Sequence, residues 1–201
     1  MAEQTLVTDI VAELDQCETV VSKKEIRDYL LEVKMPALRK NLLKLYDDIE
    51  EKLKNNPASI KYHHNYSSGL YIHTLEVMKF ALDIFETYKE EFSEYFSKDD
   101  VILVSFIHDI EKTTKYKKNT SQQNGNNWTP FLYNYSKVDM NDTAEVVSIV
   151  SCYGVQLDPI HLNALTLHHG GYSVDKGKML PLAVLLHSAD LLSCNIGEIK
   201  R

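Results

Sequence analysis

The 201-residue chain is poor in residues that turn a backbone sharply, with seven glycines and five prolines. An architecture of many short strands needs more of both, and a disordered chain would not carry 44% apolar residues, so neither class fits. Three cysteines, Cys17, Cys152 and Cys194, are too few and too scattered for a disulfide framework or a Cys-rich zinc site; reduced thiols are expected. No apolar run approaches the ~18 residues of a membrane span. The opening MAEQTLVTDIVAEL lacks the basic-then-apolar order of a signal peptide. The expectation is a cytoplasmic protein with no membrane partner. Positive charge is also short, giving a net charge of −7. That weakens a polynucleotide substrate, although an acidic protein can still carry a local basic cleft.

What the sequence does have is helical periodicity. Leu6, Ile10, Val11 and Leu14 share one face of a helix predicted over 3–15. Ser22 is placed to cap a short helix running to about Glu32. Pro36 opens a longer one to Asn55, with Leu38, Leu42, Leu45, Ile49 and Leu53 at the 3.6 period. Further helices are predicted over about 70–88, over about 98–109 after the cap Ser97, from Asn141 or Asp142 to Tyr153, from Asp158-Pro159 to His169 before Gly170-Gly171, and from Pro181 onward. The segment VILVSFIHDI is apolar nearly all round and should be a central, buried helix. Residues 117–140 break the pattern and read as a loop with room for a short β-hairpin, suited to act as a lid. The first 33 residues are expected to be a helical extension packed on one domain over 34–201.

All eight histidines fall between His63 and His187. Four places put imidazole or carboxylate where a bland core residue would be simpler: His73, the doublet His108-Asp109, the pair His168-His169, and Asp190 with His187 at i−3. Asp109 and Asp190 are the informative ones, because each lies in an otherwise apolar helix. A buried carboxylate without a partner costs several kcal/mol or takes up a proton. A divalent cation removes that problem and ties together helices distant in sequence. Bland readings exist for each residue alone: Asp190 could pair with a Lys or Arg, and His168-His169 could answer a helix dipole. His161 and His187 read as packing or supporting groups. The order H…HD…D across three predicted helices is far more specific than any one of its parts.

The segments PASIKYHHNYSSGLYIHTLEV (57–77), ILVSFIHDIEK (102–112), LHHGG (167–171) and LLHSADLLS (185–193) resemble the HD-domain metal-dependent phosphohydrolase superfamily. Within it they are most similar to the HD domain of YhaM-type 3′→5′ exoribonucleases. The resemblance covers about residues 34–193. It implies an all-α bundle with a divalent metal held by His73, His108, Asp109 and Asp190. Two departures stand out. Many members have His-Asp-x-Gly-Lys, whereas here Glu111 replaces the glycine, an extra carboxylate read as a solvated side chain in preference to a general base. Members with two metals usually place a histidine after the doublet, where this chain has Asp142-Thr143-Ala144-Glu145. One ion per chain is therefore the expectation, with His168 or His169 left as a weak hold for another. The resemblance also implies an N-terminal OB domain in the exoribonuclease branch, and the first 33 residues here read instead as helices.

The activity so implied is hydrolysis of a phosphate ester or anhydride of a nucleotide. Asp109 would ligate the metal and orient the attacking water, and Lys112 would contact the phosphate or leaving group. His64 or His168 would stabilise phosphoryl charge, His169 and His187 would support the site, and Lys115, with Lys117 and Lys118, would suit a phosphate tail. Trp128, Phe131, Tyr133 and Tyr135 could stack on a base or simply pack their own loop. Mn, Fe, Co, Ni, Zn and Mg all remain open as the ion. A small nucleotide is the favoured substrate. A short single-stranded oligonucleotide is the alternative, and a catalytically dead binding module is a third reading, disfavoured by the full ligand set.

Overall fold

A computed structural model of the chain describes residues 24–121, 129–134, 140–170 and 177–199, with side chains of the last helix to residue 196. The helix expected over 3–15, Ser22, Trp128, Tyr135 and Gly171 lie outside these residues. Among the described residues the elements are α1 (Ile26–Leu31), α2 (Pro36–Asn55), α3 (Gly69–Thr87), α4 (Lys89–Phe92), α5 (Lys98–Ile107), α6 (Lys112–Lys115), β1 (Tyr116–Lys118), β2 (Phe131–Tyr133), α7 (Asp142–Ser151), α8 (Pro159–Leu167) and α9 (Pro181–Ile199). The fold is an all-α bundle with one small antiparallel hairpin, in which Tyr116 pairs with Tyr133 and Lys118 with Phe131. None of the described helices is long and apolar enough to cross a membrane.

Amphipathic spacing sets the outer helices. Leu42, Leu45, Tyr46, Ile49 and Leu53 bury one face of α2. Pro36 supplies its first residue, where no intrahelical N–H is needed. The helix α3 packs against α2, α5 and α9 together, so its burial extends round Leu70, His73, Val77, Met78, Ala81 and Phe85. Ser97 and Asp100 close the start of α5 reciprocally: Ser97 N donates to Asp100 Oδ2 at 2.7 Å and Asp100 N to Ser97 Oγ at 3.4 Å. Every residue from Val101 to Thr113 is buried, as the unbroken apolar run predicts.

That burial extends past the helix. The α5 helix ends at Ile107, two residues before the predicted stop, and 108–111 form tight turns with Ile110 N on Ile107 O and Lys112 N on Asp109 O. The cause is local: His108 Nδ1 donates to Ser105 O at 2.9 Å, the acceptor that the next helical turn would use. His168 does the same to Leu165 O at 2.8 Å and ends α8. In both places the ring that stops the helix is thereby fixed in orientation.

Asp99 ties the α1–α2 connection to the core. Its carboxylate accepts from Lys34 N at 2.9 and 3.0 Å and from Met35 N at 2.9 Å. Asp99→Ala orphans these main-chain donors, so urea unfolding should show a loss of about 1–3 kcal/mol; an unchanged midpoint would mean that water replaces the carboxylate.

Candidate metal centre

Two helices and one turn converge on one point. From α3 comes His73, from the turn after α5 come His108 and Asp109, and from α9 comes Asp190. All four are buried, at 0%, 2%, 2% and 7% exposure. His73 Nε2 lies 3.2 Å from His108 Nε2, 3.2 Å from Asp190 Oδ1 and 3.3 Å from Asp109 Oδ2. His108 Nε2 lies 3.4 Å from the same Asp109 oxygen. Single donor atoms of His73, His108 and Asp190 all fall within 4.8 Å of one another.

The opposite edge of each ring explains why these atoms point inward. His73 Nδ1 lies 3.0 Å from Ser193 Oγ, and His108 Nδ1 and His168 Nδ1 each hold a main-chain carbonyl. An Nδ1–H held outside leaves Nε2 with its lone pair facing in, the arrangement that metal-binding imidazoles require.

The electrostatics ask for a cation. Burial alone would raise the Asp109 carboxyl, but Lys112, His108 and His73 hold it well below the usual carboxylate range. Asp190 is likewise held low against burial by His73. Burial works against a charge on His73, yet the bonds to Asp109 and Asp190 push it up to about 9. Two carboxylates strong enough to pull a proton into a fully buried ring would also hold a divalent ion at that point. Burial, with neighbouring rings contributing, lowers His108 and brings His168 to about 3, so both are neutral near pH 7 and free to ligate. The donor set of imidazoles and carboxylates suits Mn, Fe, Co, Ni or Zn.

A second group adjoins the first. Asp109, His168 and His169 offer one atom each within 4.8 Å. His168 Nε2 lies 4.0 Å from Asp109 Oδ1, and neither of these buried atoms has a hydrogen-bond partner among the described residues. His169 Nδ1 is 4.0 Å from Asp190 Oδ2. His187 Nδ1 donates to His168 O at 2.5 Å and pins this turn. A Cβ on Gly170, at φ +57°, would sit 2.5 Å from the His187 ring, so only glycine fits there.

Of the remaining residues, Glu111 falls differently from the sequence reading. Glu111 is not solvated: it is 1% exposed. Burial and the Asp109 charge push it up to about 8, and its Oε2 has no hydrogen-bond partner among the described residues. The side chain follows the doublet inward because the chain there runs in tight turns and not on an outward helix face. Lys112 Nζ is bonded to Asp109 Oδ2 at 2.5 Å. Lys115 pairs with Asp142 at 2.7 Å. His64 is 1% exposed and its Nε2 meets Glu76 Oε2 at 3.1 Å, so it stands behind the site, while His63 faces His73 with ring centroids 4.8 Å apart. His161 bonds Asp100 at 2.8 Å, a structural contact.

Glu76, Ser193, His63 and Cys194 were not singled out from the sequence. Glu76 and Ser193 each lie three residues after a proposed ligand on the same helix face, and that spacing was the available signal.

No protein-family model and no solved structure matches the chain. Among curated proteins, the dihydroneopterin 2′,3′-cyclic phosphate phosphodiesterase of Methanocaldococcus jannaschii is 25% identical over 180 residues, 88% of this chain and 68% of that protein. The 3′-5′ exoribonuclease YhaM of Listeria monocytogenes is 21% identical over 208 residues, 98% of this chain and 63% of its own length. The YhaM of Listeria innocua is 21% identical over 182 residues, with 55% of it covered. The chain thus spans less than two thirds of the YhaM proteins it matches. Both kinds of relative are HD-domain proteins, and they support the resemblance of this chain to that superfamily and to its YhaM type.

Proposed function

We propose that this chain is a metal-dependent phosphohydrolase that cleaves a phosphodiester of a nucleotide-like molecule. The observation that carries the reading is the convergence of His73, His108, Asp109 and Asp190, with the imidazole Nε2 atoms and the carboxylates directed at one point. The names of both kinds of relative describe phosphodiester cleavage, one on a small cyclic phosphate and the other on RNA. A small substrate is the first choice, since the net charge of −7 gives no general attraction to a polyanion.

The residues present fit two ions better than the one expected from the sequence. Asp109 offers Oδ2 to the His73 side and Oδ1 to the His168 side, as a carboxylate shared between two cations would. The absence of a histidine near Ala144 is answered by His168 and His169. Bound here, divalent ions supply Lewis-acid polarisation of a phosphoryl oxygen and lower the pKa of a ligated water. The chain's part is orientation and charge. Asp109, gripped by Lys112, holds its oxygens in fixed directions. Lys112 is committed to that carboxylate and acts through it. His108 and His168, both neutral, add no positive charge that would compete with a cation.

Metal analysis should find two ions per chain in the wild type and one in His168→Ala, and one ion in both would return the site to a mononuclear reading. A panel with Mn²⁺ tests the substrate: 2′,3′-cyclic nucleotides, bis-p-nitrophenyl phosphate, nucleoside triphosphates and a labelled single-stranded RNA. Cleavage of the small diesters is expected. Turnover of RNA alone would transfer the assignment to an exonuclease, and no turnover with any metal would leave a binding module.

A further inference from the structure

Behind the centre, two lines of hydrogen bonds end on one carboxylate oxygen. Ser193 Oγ donates to Glu76 Oε2 at 2.8 Å, and His73 Nδ1 stands 3.0 Å from that hydroxyl. His64 Nε2 meets the same Oε2 at 3.1 Å, and His63 Nδ1 meets His64 Nδ1 at 3.2 Å. A carboxylate only accepts, so the order of the protons follows. Along the first line, Ser193 gives its hydroxyl proton to Glu76 and must accept from His73 Nδ1–H. Along the second, His64 places its proton on Nε2. In a neutral His64 ring Nδ1 is then bare and accepts from His63 Nδ1–H. Both arms leave Nε2 as the nitrogen directed at the site, on His73 where a cation would take the place of its proton, and bare on His63 beside it.

We propose that Glu76 is a positioning residue whose single carboxylate fixes the tautomers of two histidine arms, making His73 a metal ligand and His63 an acceptor for a substrate hydroxyl. The proposal rests on the metal-centre reading for the His73 arm only. Several features of the local fold serve this arrangement. His64 sits at φ +49°, a left-handed conformation, with its Nε2 on Glu76 of α3 and its ring centroid 5.4 Å from that of His73. Its carbonyl accepts from Ala58 N at 3.1 Å. Gly69 packs against the same carbonyl, and a Cβ there would come within 2.0 Å of it. The loop of 58–69 is thus clamped with His64 inward and His63 facing the site. A ring nitrogen of His63 lies within 4.8 Å of a His73 nitrogen and of Cys194 Sγ.

The arms can be cut separately. Ser193→Ala severs only the first, His64→Asn only the second, since asparagine tolerates the left-handed backbone, and Glu76→Met severs both. Glu76 is 23% exposed on a helix, so methionine there keeps the fold. Zn²⁺ affinity should fall about tenfold or more in Ser193→Ala and in Glu76→Met. The Ser193→Ala/Glu76→Met double variant should bind no more weakly than Glu76→Met alone. Two-bond ¹H–¹⁵N correlation of the histidine rings in chelator-treated protein should show His63 protonated on Nδ1 in the wild type and Ser193→Ala, and shifted to Nε2 in His64→Asn and Glu76→Met. His64→Asn should raise KM with little change in kcat. Glu76→Gln retains an acceptor oxygen and should restore most of both signals. An unmoved His63 tautomer in Glu76→Met, or multiplying affinity losses in the double variant, overturns the proposal. If the wild type binds no Zn²⁺, the metal centre falls, and the His63 tautomer still decides the role of Glu76.

Discussion

Asp109→Ala should eliminate bound metal and reduce hydrolysis by roughly three orders of magnitude or more, the scale of several kcal/mol of lost charge stabilisation. The residue is the common member of both clusters, with Oδ2 beside His73 and His108 and Oδ1 toward His168. Removing it therefore affects both ion positions at once, whereas His168→Ala affects one. A loss of fold could mimic this result. The buried Lys112 ammonium has Asp109 as its close partner at 2.5 Å, and an isolated buried charge costs on the order of 3–5 kcal/mol. The companion Asp109→Ala/Lys112→Met variant removes the stranded cation. It should recover the thermal midpoint while binding no metal. Metal retained at full occupancy in a folded Asp109→Ala protein would remove Asp109 from the centre, and the proposed mechanism with it.

The helical frame was legible because apolar spacing is a property of each segment alone. Pro36–Asn55 ends where the sequence says, and the VILVSFI run is buried all round. Asp109 and Asp190 were legible for a related reason: a carboxylate in an apolar helix is costly, so its presence signals a partner. The misreading of Glu111 has its origin in side-chain direction beyond a helix end. His108 and His168 each take a carbonyl that the helix would have used, and the chain leaves the 3.6 period there. Beyond that point periodicity no longer says which way a residue faces. Glu111 therefore looked solvated and is buried. Two adjacent histidines in a loop are likewise indistinguishable by spacing, and the rings of both lie near His73, with centroids at 4.8 Å for His63 and 5.4 Å for His64.

Glu111 also gives the fold a pH dependence with an unusual sign. Burial, reinforced by Asp109, raises its carboxyl from 4.5 to about 8. Between those values the folded chain holds a proton that the unfolded chain releases. Stability from this group is therefore present below about pH 4.5 and is lost as pH rises through about 8. That is opposite to the usual surface carboxylate. The full cost by the top of the window is on the order of 3–5 kcal/mol. Glu111→Gln keeps the shape and removes the titration. In chelator-treated protein at pH 5, wild type and variant should unfold at nearly the same urea concentration. At pH 8.5 the variant should be the more stable by several kcal/mol. Adding Mn²⁺ should narrow that gap, because a cation on Asp109 offsets the charge that repels the Glu111 carboxylate. Parallel stability curves for the two proteins from pH 5 to 8.5 would show that Glu111 does not titrate in this window. Persistence of the full gap with metal bound would separate Glu111 electrostatically from the centre. The same substitution thus reads the charge of the centre through stability alone, without a substrate and independently of the assignment of its activity.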